Sequence, residues 1–219
     1  MIDMMMETIV RTKNFHNFIF TVATLIGFLL TVSYGLFGCS GGEAEHRDET
    51  VDSETEVAEG SERKDDLSFR VSEMYEAYKA EDFADVRDIS AEEIIREGNT
   101  DGAADGESQL FLLLDCRTRS ERAVSMLPGA LSQEEFESSR DHYAGRKIAV
   151  YCTIGYRSGL YARELKGEGV NAFNLRGGVL SWAIAGGEFV DPATGEDTKR
   201  VHVYGKKWDL LPPGYEAVY

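Results

Sequence analysis

Three short apolar runs decide what this chain can fold into. Residues 110–114 (LFLLL), 148–151 (IAVY) and 172–175 (AFNL) are continuous rather than alternating, the pattern of strands buried on both faces. Helix signals lie between them. One opens at Ser132 with Glu135 three residues on, one spans 158–166 and closes at Gly167, and one spans 179–185 and closes at Gly186. Strands and helices taking turns predict an α/β fold with a mainly parallel central sheet flanked by helices on both faces. A chain of 219 residues, 42% hydrophobic, holds a single domain of this kind with extensions at each end.

The N-terminal extension carries a targeting signal. Arg11 and Lys13 precede an apolar run, 18–37, which leads into LFGC with its cysteine at Cys39. This ending resembles a bacterial lipobox, and the resemblance implies a signal peptide over 1–38 and lipidation of Cys39, with Ser40 of the outer-membrane sorting kind. The run is also long enough for an uncleaved membrane anchor. Both readings place the folded domain in the bacterial cell envelope, membrane-anchored and facing the periplasm or cell exterior.

Between Glu43 and Asp66 stand eleven acidic and three basic residues, 3 − 11 = −8, half of the chain's −16. A stretch so charged and so poor in apolar residues predicts a disordered tether over 39–66. Basic patches interleaved with aromatics are missing, which argues against a nucleic-acid partner. Order is expected from Leu67: Val71, Met74, Tyr75 and Tyr78 fall at i, i+3, i+4 and i+7, one stripe of an N-terminal helix over 67–83. The SAEE box at Ser90 opens a second helix that Gly98 stops.

The chemistry gathers in YCTIGYRSG, 151–159. Cys152 stands at the carboxyl end of a buried parallel strand, the edge where open α/β sheets place ligands. The loop Thr153, Ile154, Gly155, Tyr156 and Arg157 runs into a helix expected to start near Ser158. Gly155 lets successive amides turn inward, and the helix N-terminus adds positive potential. Such a nest favours an anion, and the Cys152 thiolate is the natural one. Other cysteine and serine chemistries fit less well. None of the four histidines, His16, His46, His142 and His202, lies beside Cys152 in sequence as a general base. Ser158 is fourth in GYRSG, where a serine-hydrolase elbow needs it third. There is no C-x-x-C pair for a metal. Four residues separate Cys152 from Arg157, one fewer than in the phosphate loop of tyrosine phosphatases, so the ring suits a single sulfur better than a phosphate.

The loop resembles the active-site loop of the rhodanese-like sulfurtransferases, and further motifs agree in order: LLLDCR at 112–117, Glu121 with LPGAL at 127–131, and NAFNLRGGVLSW at 171–182. The resemblance covers about Val86 to Pro192 and implies a rhodanese-like domain over 84–192. Where the family commonly has His before its Pro-Gly-Ala turn, this chain has Met126. The implied mechanism needs no cofactor and no metal. Cys152 takes the outer sulfur of a small donor, thiosulfate or a persulfide, and the resulting persulfide passes it to a thiol or cyanide acceptor. Thr153 to Ser158 would bind the donor. Arg157 either faces an anionic donor or braces the loop in an ion pair, and Tyr156 either shapes the mouth or lies on the surface.

Asp115, Arg117 and Glu121 are expected as structural support, with Asp115 accepting loop hydrogen bonds and Arg117 pairing with Glu121 four residues on. Trp182 is expected in the core. Cys116, near the same sheet edge, is either a buried thiol or a partner able to resolve an oxidised Cys152. The tail, 193–219, is rich enough in aromatics to pack back on the domain. Two other classes stay open: a non-catalytic rhodanese-like binding module, and a cysteine-dependent phosphatase or arsenate reductase, which the short loop opposes.

Overall fold

The three apolar runs are neighbouring strands of one sheet. In chain order the elements are α1 (Thr50–Asp82), β1 (Asp88–Ile89), α2 (Ala91–Gly98), β2 (Phe111–Asp115), α3 (Arg119–Arg122), β3 (Leu131–Ser132), α4 (Gln133–Ser138), β4 (Lys147–Tyr151), α5 (Tyr156–Gly167), β5 (Ala172–Leu175), α6 (Gly178–Ile184), β6 (Phe189–Val190), β7 (Asp197–Thr198), β8 (Arg200–His202) and β9 (Glu216–Val218). The central sheet has the order β1-β5-β4-β2-β3, and every pairing in it is parallel. All five residues of β2 are buried, as are four of the five in β4. Both faces of the sheet are therefore covered, which is what continuous apolar strands require.

The computed structural model describes residues 50–98 and 110–219. The apolar run 18–37, Cys39 and the first part of the expected tether lie outside the described residues. Among the described residues, no helix is long and apolar enough to cross a membrane.

The helices obey their local signals. Ser90 and Glu93 exchange the two hydrogen bonds of a capping box, and Ser132 and Glu135 do the same at the start of α4. The boundary furthest from expectation is the start of α1, at Thr50, well before Leu67. The acidic stretch lacks a face to bury, but helical backbone asks only for suitable residues. Glu and Lys are good helix formers, and acidic side chains suit the positive end of the helix dipole. From Leu67 onward the expected stripe packs, with Val71, Tyr75 and Tyr78 buried.

Helix α5 lies on β4 and β5, α4 on β2 and β3, and α1 against α5 and α6. The tail also packs back: β6 and β7 form an antiparallel pair, β8 and β9 a parallel one, and Val201, Val203, Trp208 and Leu210 are buried.

Contact between α5 and the end of α1 is close enough to exclude one methyl group. A Cβ on Gly159 would stand 2.5 Å from the ring of Phe83, which is 1% exposed and packed at a tilt against Tyr75 and Tyr156. Overpacking costs about 1–3 kcal/mol, against a helix-propensity gain of about 1 kcal/mol for Ala over Gly. Gly159→Ala is expected to lower the urea midpoint; an unchanged or raised midpoint would show that the ring gives way freely.

Candidate active site

The chain leaves β2 toward β3 and leaves β4 toward β5, in opposite directions across the sheet. A crevice opens where two such strands sit side by side, at their carboxyl ends. Cys152 follows the last residue of β4 and Cys116 the last residue of β2; the strand ends are in register through Asp115 and Tyr151. The predicted nucleophile therefore stands at the topological switch point of the sheet.

Around Cys152 the loop turns its donors inward. Gly155 holds φ at +95°, and its N–H donates to Cys152 Sγ at 3.2 Å. Ser158 Oγ donates to the same sulfur at 3.5 Å. A side chain at 155 would be strained by that φ, and its Cβ would meet the Tyr75 ring at 2.7 Å. Two loop carbonyls, those of Cys152 and Thr153, accept from Val179 N and Leu180 N at the start of α6. Their approach depends on Gly178, where a Cβ would lie 2.2 Å from the Cys152 oxygen. Cys152 is 1% exposed. Burial alone would raise its pKa, but a hydrogen bond from Cys116, the Arg157 charge and the Ser158 hydroxyl and N–H together hold it well below the ordinary thiol value. Cys116 moves the other way: its hydrogen bond to Cys152, and then burial, push its thiol well above the usual range.

The supporting residues pair differently from the expectation. Arg117 does not pair with Glu121. It forms a fully buried ion pair with Asp115, donating through Nε and Nη2, and its backbone N–H also goes to Asp115. The i,i+4 rule applies within a helix, and α3 starts only at Arg119. Asp115 thus accepts hydrogen bonds from Arg117 itself. Glu121 instead takes both guanidinium nitrogens of Arg157, at 2.8 and 2.7 Å, while accepting from Thr118 N in a capping box. Of the two readings of Arg157, the bracing ion pair is the one seen. Helix α5 starts at Tyr156, so Arg157 lies in its first turn rather than in the loop. Glu121 is 3% exposed. Burial would raise its pKa, yet the Arg157 and Thr118 contacts bring it down to about 2.

Thr153 and Ile154 are buried, and Thr153 Oγ1 accepts a long hydrogen bond from Arg157 at 3.4 Å. Tyr156 packs at a tilt against Tyr78 and Phe83, so its ring joins α5 to the α1 end of the site. Trp182 is buried, as expected. His142 packs edge-on against Tyr143 in a short 3-10 helix (Arg140–Tyr143).

Two contributors were not singled out from sequence. Asn174 Nδ2 donates to Gly155 O at 2.8 Å and to Tyr75 Oη at 3.0 Å, and Tyr75 Oη donates onward to Asp88 at 2.6 Å. An amide inside an otherwise apolar strand was its signal, because a buried polar group needs partners. The tail supplies the other. Tyr204 lays its ring over the Arg157 guanidinium at 5.5 Å, and His202 Nδ1 lies 4.0 Å from Glu121 while accepting Tyr204 N–H at 3.1 Å. Nothing local in the sequence marks a contact across that many residues.

Comparison with known proteins bears on this arrangement. A rhodanese-like domain model matches residues 91–185. A sulfurtransferase of Allochromatium vinosum is 34% identical over 110 residues, covering 46% of this chain and 95% of its own length. A tRNA sulfurtransferase of Desulfurococcus amylolyticus is 41% identical over 74 residues, 32% of this chain, and the chain spans 14% of that protein. Among solved structures, a rhodanese-related protein of Thermoplasma volcanium is 22% identical, with a TM-score of 0.40 over 48% of this chain and 98% of its own.

The Glu121–Arg157 pair makes stability depend on pH in a definite direction. A carboxylate whose pKa falls from 4.5 to about 2 on folding contributes stability that is complete above 4.5 and is lost as the pH drops toward 2. Glu121→Gln is expected to be less stable than the native chain at neutral pH, with the gap closing between those limits. Chemical denaturation at a series of pH values checks this; a gap that stays constant would remove the ion pair as its cause.

Proposed function

The chain belongs to the rhodanese-like domain family, and from that premise we propose that it is a sulfurtransferase working through a persulfide on Cys152. The observation that carries the reading is the buried Cys152 sulfur facing the Gly155 N–H and the Ser158 hydroxyl. An anion stabilised in place is a nucleophile at neutral pH. The thiolate attacks the outer sulfur of thiosulfate or of a small persulfide. The donor's inner atom leaves with the bonding pair, and the outer sulfur stays on Cys152.

In the second step a thiol or cyanide acceptor attacks the terminal sulfur of the persulfide, the sulfur–sulfur bond breaks, and Cys152 leaves with the bonding pair as the thiolate that the same donors stabilise. Arg157 supports the loop through Glu121. With its charge already paired, it raises the local potential without being free to clamp a phosphate on both sides, which favours sulfur over phosphoryl chemistry. The relatives named as sulfurtransferases agree in reaction class.

The setting proposed for this activity is the cell envelope. Its support is the apolar run 18–37 and the LFGC ending at Cys39, which would tether the domain to a membrane through a lipid or an anchor. Donor and acceptor would then be small molecules or thiols of that compartment.

Intact-mass measurement after incubation of the full-length chain with thiosulfate, and separately with glutathione persulfide, tests the reading. In a sample quenched with acid directly after mixing, the native chain is expected to carry one sulfur atom that cyanide removes, and Cys152→Ser to carry none. Equal labelling of the two would rule Cys152 out as the carrier, and no labelling of either would favour a binding module.

A further inference from the structure

Cys116 stands beside Cys152, and the two-step exchange uses it only as a neighbour that favours the Cys152 thiolate. Strands β2 and β4 pair in parallel up to Asp115 and Tyr151, so the next residues, Cys116 and Cys152, leave adjacent strand ends side by side. The pairing continues one step further, since Cys116 N–H donates to Tyr151 O at 3.1 Å. Neighbouring strands lie about 4.8 Å apart, inside the Cα separation of roughly 4.4–6.8 Å that a disulfide accepts. Both cysteines are free thiols, Cys152 buried and Cys116 partly exposed.

The proton of Cys116 has two acceptors within reach. One is the Tyr151 carbonyl oxygen, to which Cys116 Sγ donates at 3.2 Å; the other is the neighbouring Cys152 sulfur, whose charge pushes the Cys116 thiol upward as Cys116 draws the Cys152 thiol down. A charged acceptor makes the stronger bond. Cys116 thus keeps its proton and holds it against the reacting sulfur.

We infer that Cys116 is an internal acceptor for the Cys152 persulfide, so that the chain releases sulfide as well as transferring sulfur. The inference rests on the persulfide reading above. Cys116 Sγ bonds to Cys152 Sγ, and the bond from Cys152 Sγ to the outer sulfur breaks. That sulfur departs with the bonding pair and takes the Cys116 proton, leaving as hydrosulfide. Counted over loading and release, the transferred sulfur atom gains two electrons and the two thiols supply one each, ending as the Cys116–Cys152 disulfide. A dithiol reductant closes the cycle by attacking Cys116 Sγ, the more exposed of the two. The acceptor class that this site selects is therefore a dithiol, which can both open the disulfide and resolve the mixed one that follows.

The test loads the reduced full-length chain with thiosulfate, and separately with glutathione persulfide. No acceptor is added, and an acid quench precedes measurement of sulfide and of the disulfide-linked peptides. The native chain is expected to release one sulfide per loaded sulfur and to end with Cys116 linked to Cys152. Cys116→Ser and Cys116→Ala are expected to load more slowly, Ala the slower, but once loaded to keep the sulfur on Cys152 and release none; their loading shows that they are folded. A native chain that holds its sulfur as long as the variants overturns the inference. If no protein takes up sulfur, while the oxidant diamide still joins the two cysteines in the native chain, the persulfide reading fails and sulfide release falls with it.

Discussion

A negative charge on a sulfur that water barely reaches is the constraint on which this structure turns. Moving an ion out of water costs several kcal/mol even after relaxation, and Cys152 is 1% exposed. Hydrogen bonds to a charged group return about 1.5–3 kcal/mol each, so two or three well-placed donors are enough to reverse the balance. Gly155 N–H and the Ser158 hydroxyl are those donors, and the neighbouring Cys116 thiol and the Arg157 charge favour the anion further. Much of the surrounding fold keeps the loop in the one shape that aims them. Asn174 holds the Gly155 carbonyl, Tyr75 fills the space a side chain at 155 would need, and Gly178 lets the first turn of α6 bind the carbonyls of Cys152 and Thr153.

This dependence explains why the extensions matter to the site. Helix α1 contributes Tyr75 and Tyr78 to the walls behind the loop, and the tail brings Trp208 onto Tyr78 and Tyr204 onto Arg157. Tyr204 is the one non-glycine residue with positive φ among the described residues, at 69°. Strain of that kind persists where neighbours over-determine it, and here the neighbours are His202 and the Arg157 guanidinium. The rhodanese-like model matches residues 91–185, so Tyr75 and Tyr78 precede the matched range and Tyr204 and Trp208 follow it.

The sequence was most legible where local chemistry is repeated over several residues. Buried strands reveal themselves as apolar runs, and Ser90 with Glu93 or Ser132 with Glu135 are reciprocal caps whose spacing alone suffices. Strands of two residues, β1 and β3, have no period to detect. The pairing of Arg117 went astray because a spacing of four means contact only if a helix intervenes, and the nearer Asp115 takes the guanidinium. Cys152 and its loop could be read from the residues; the partner of Arg157 could not, since Glu121 and Arg157 are 36 positions apart and meet only through sheet topology. The start of α1 at Thr50 went unread for another reason: poverty in apolar residues predicts poor packing, whereas helix formation is a separate property.

The most direct test of this account is the titration of Cys152 itself, followed by the pH dependence of its alkylation with Cys116 replaced by Ser to isolate one signal. The variant removes the neighbouring thiol, but the Gly155, Ser158 and Arg157 contributions remain. The account predicts a thiolate that still forms below the ordinary free-thiol pKa of about 8.5. A Cys152 that titrates at or above that value would mean that burial outweighs the loop donors, and the site would then lack the nucleophile on which its chemistry depends.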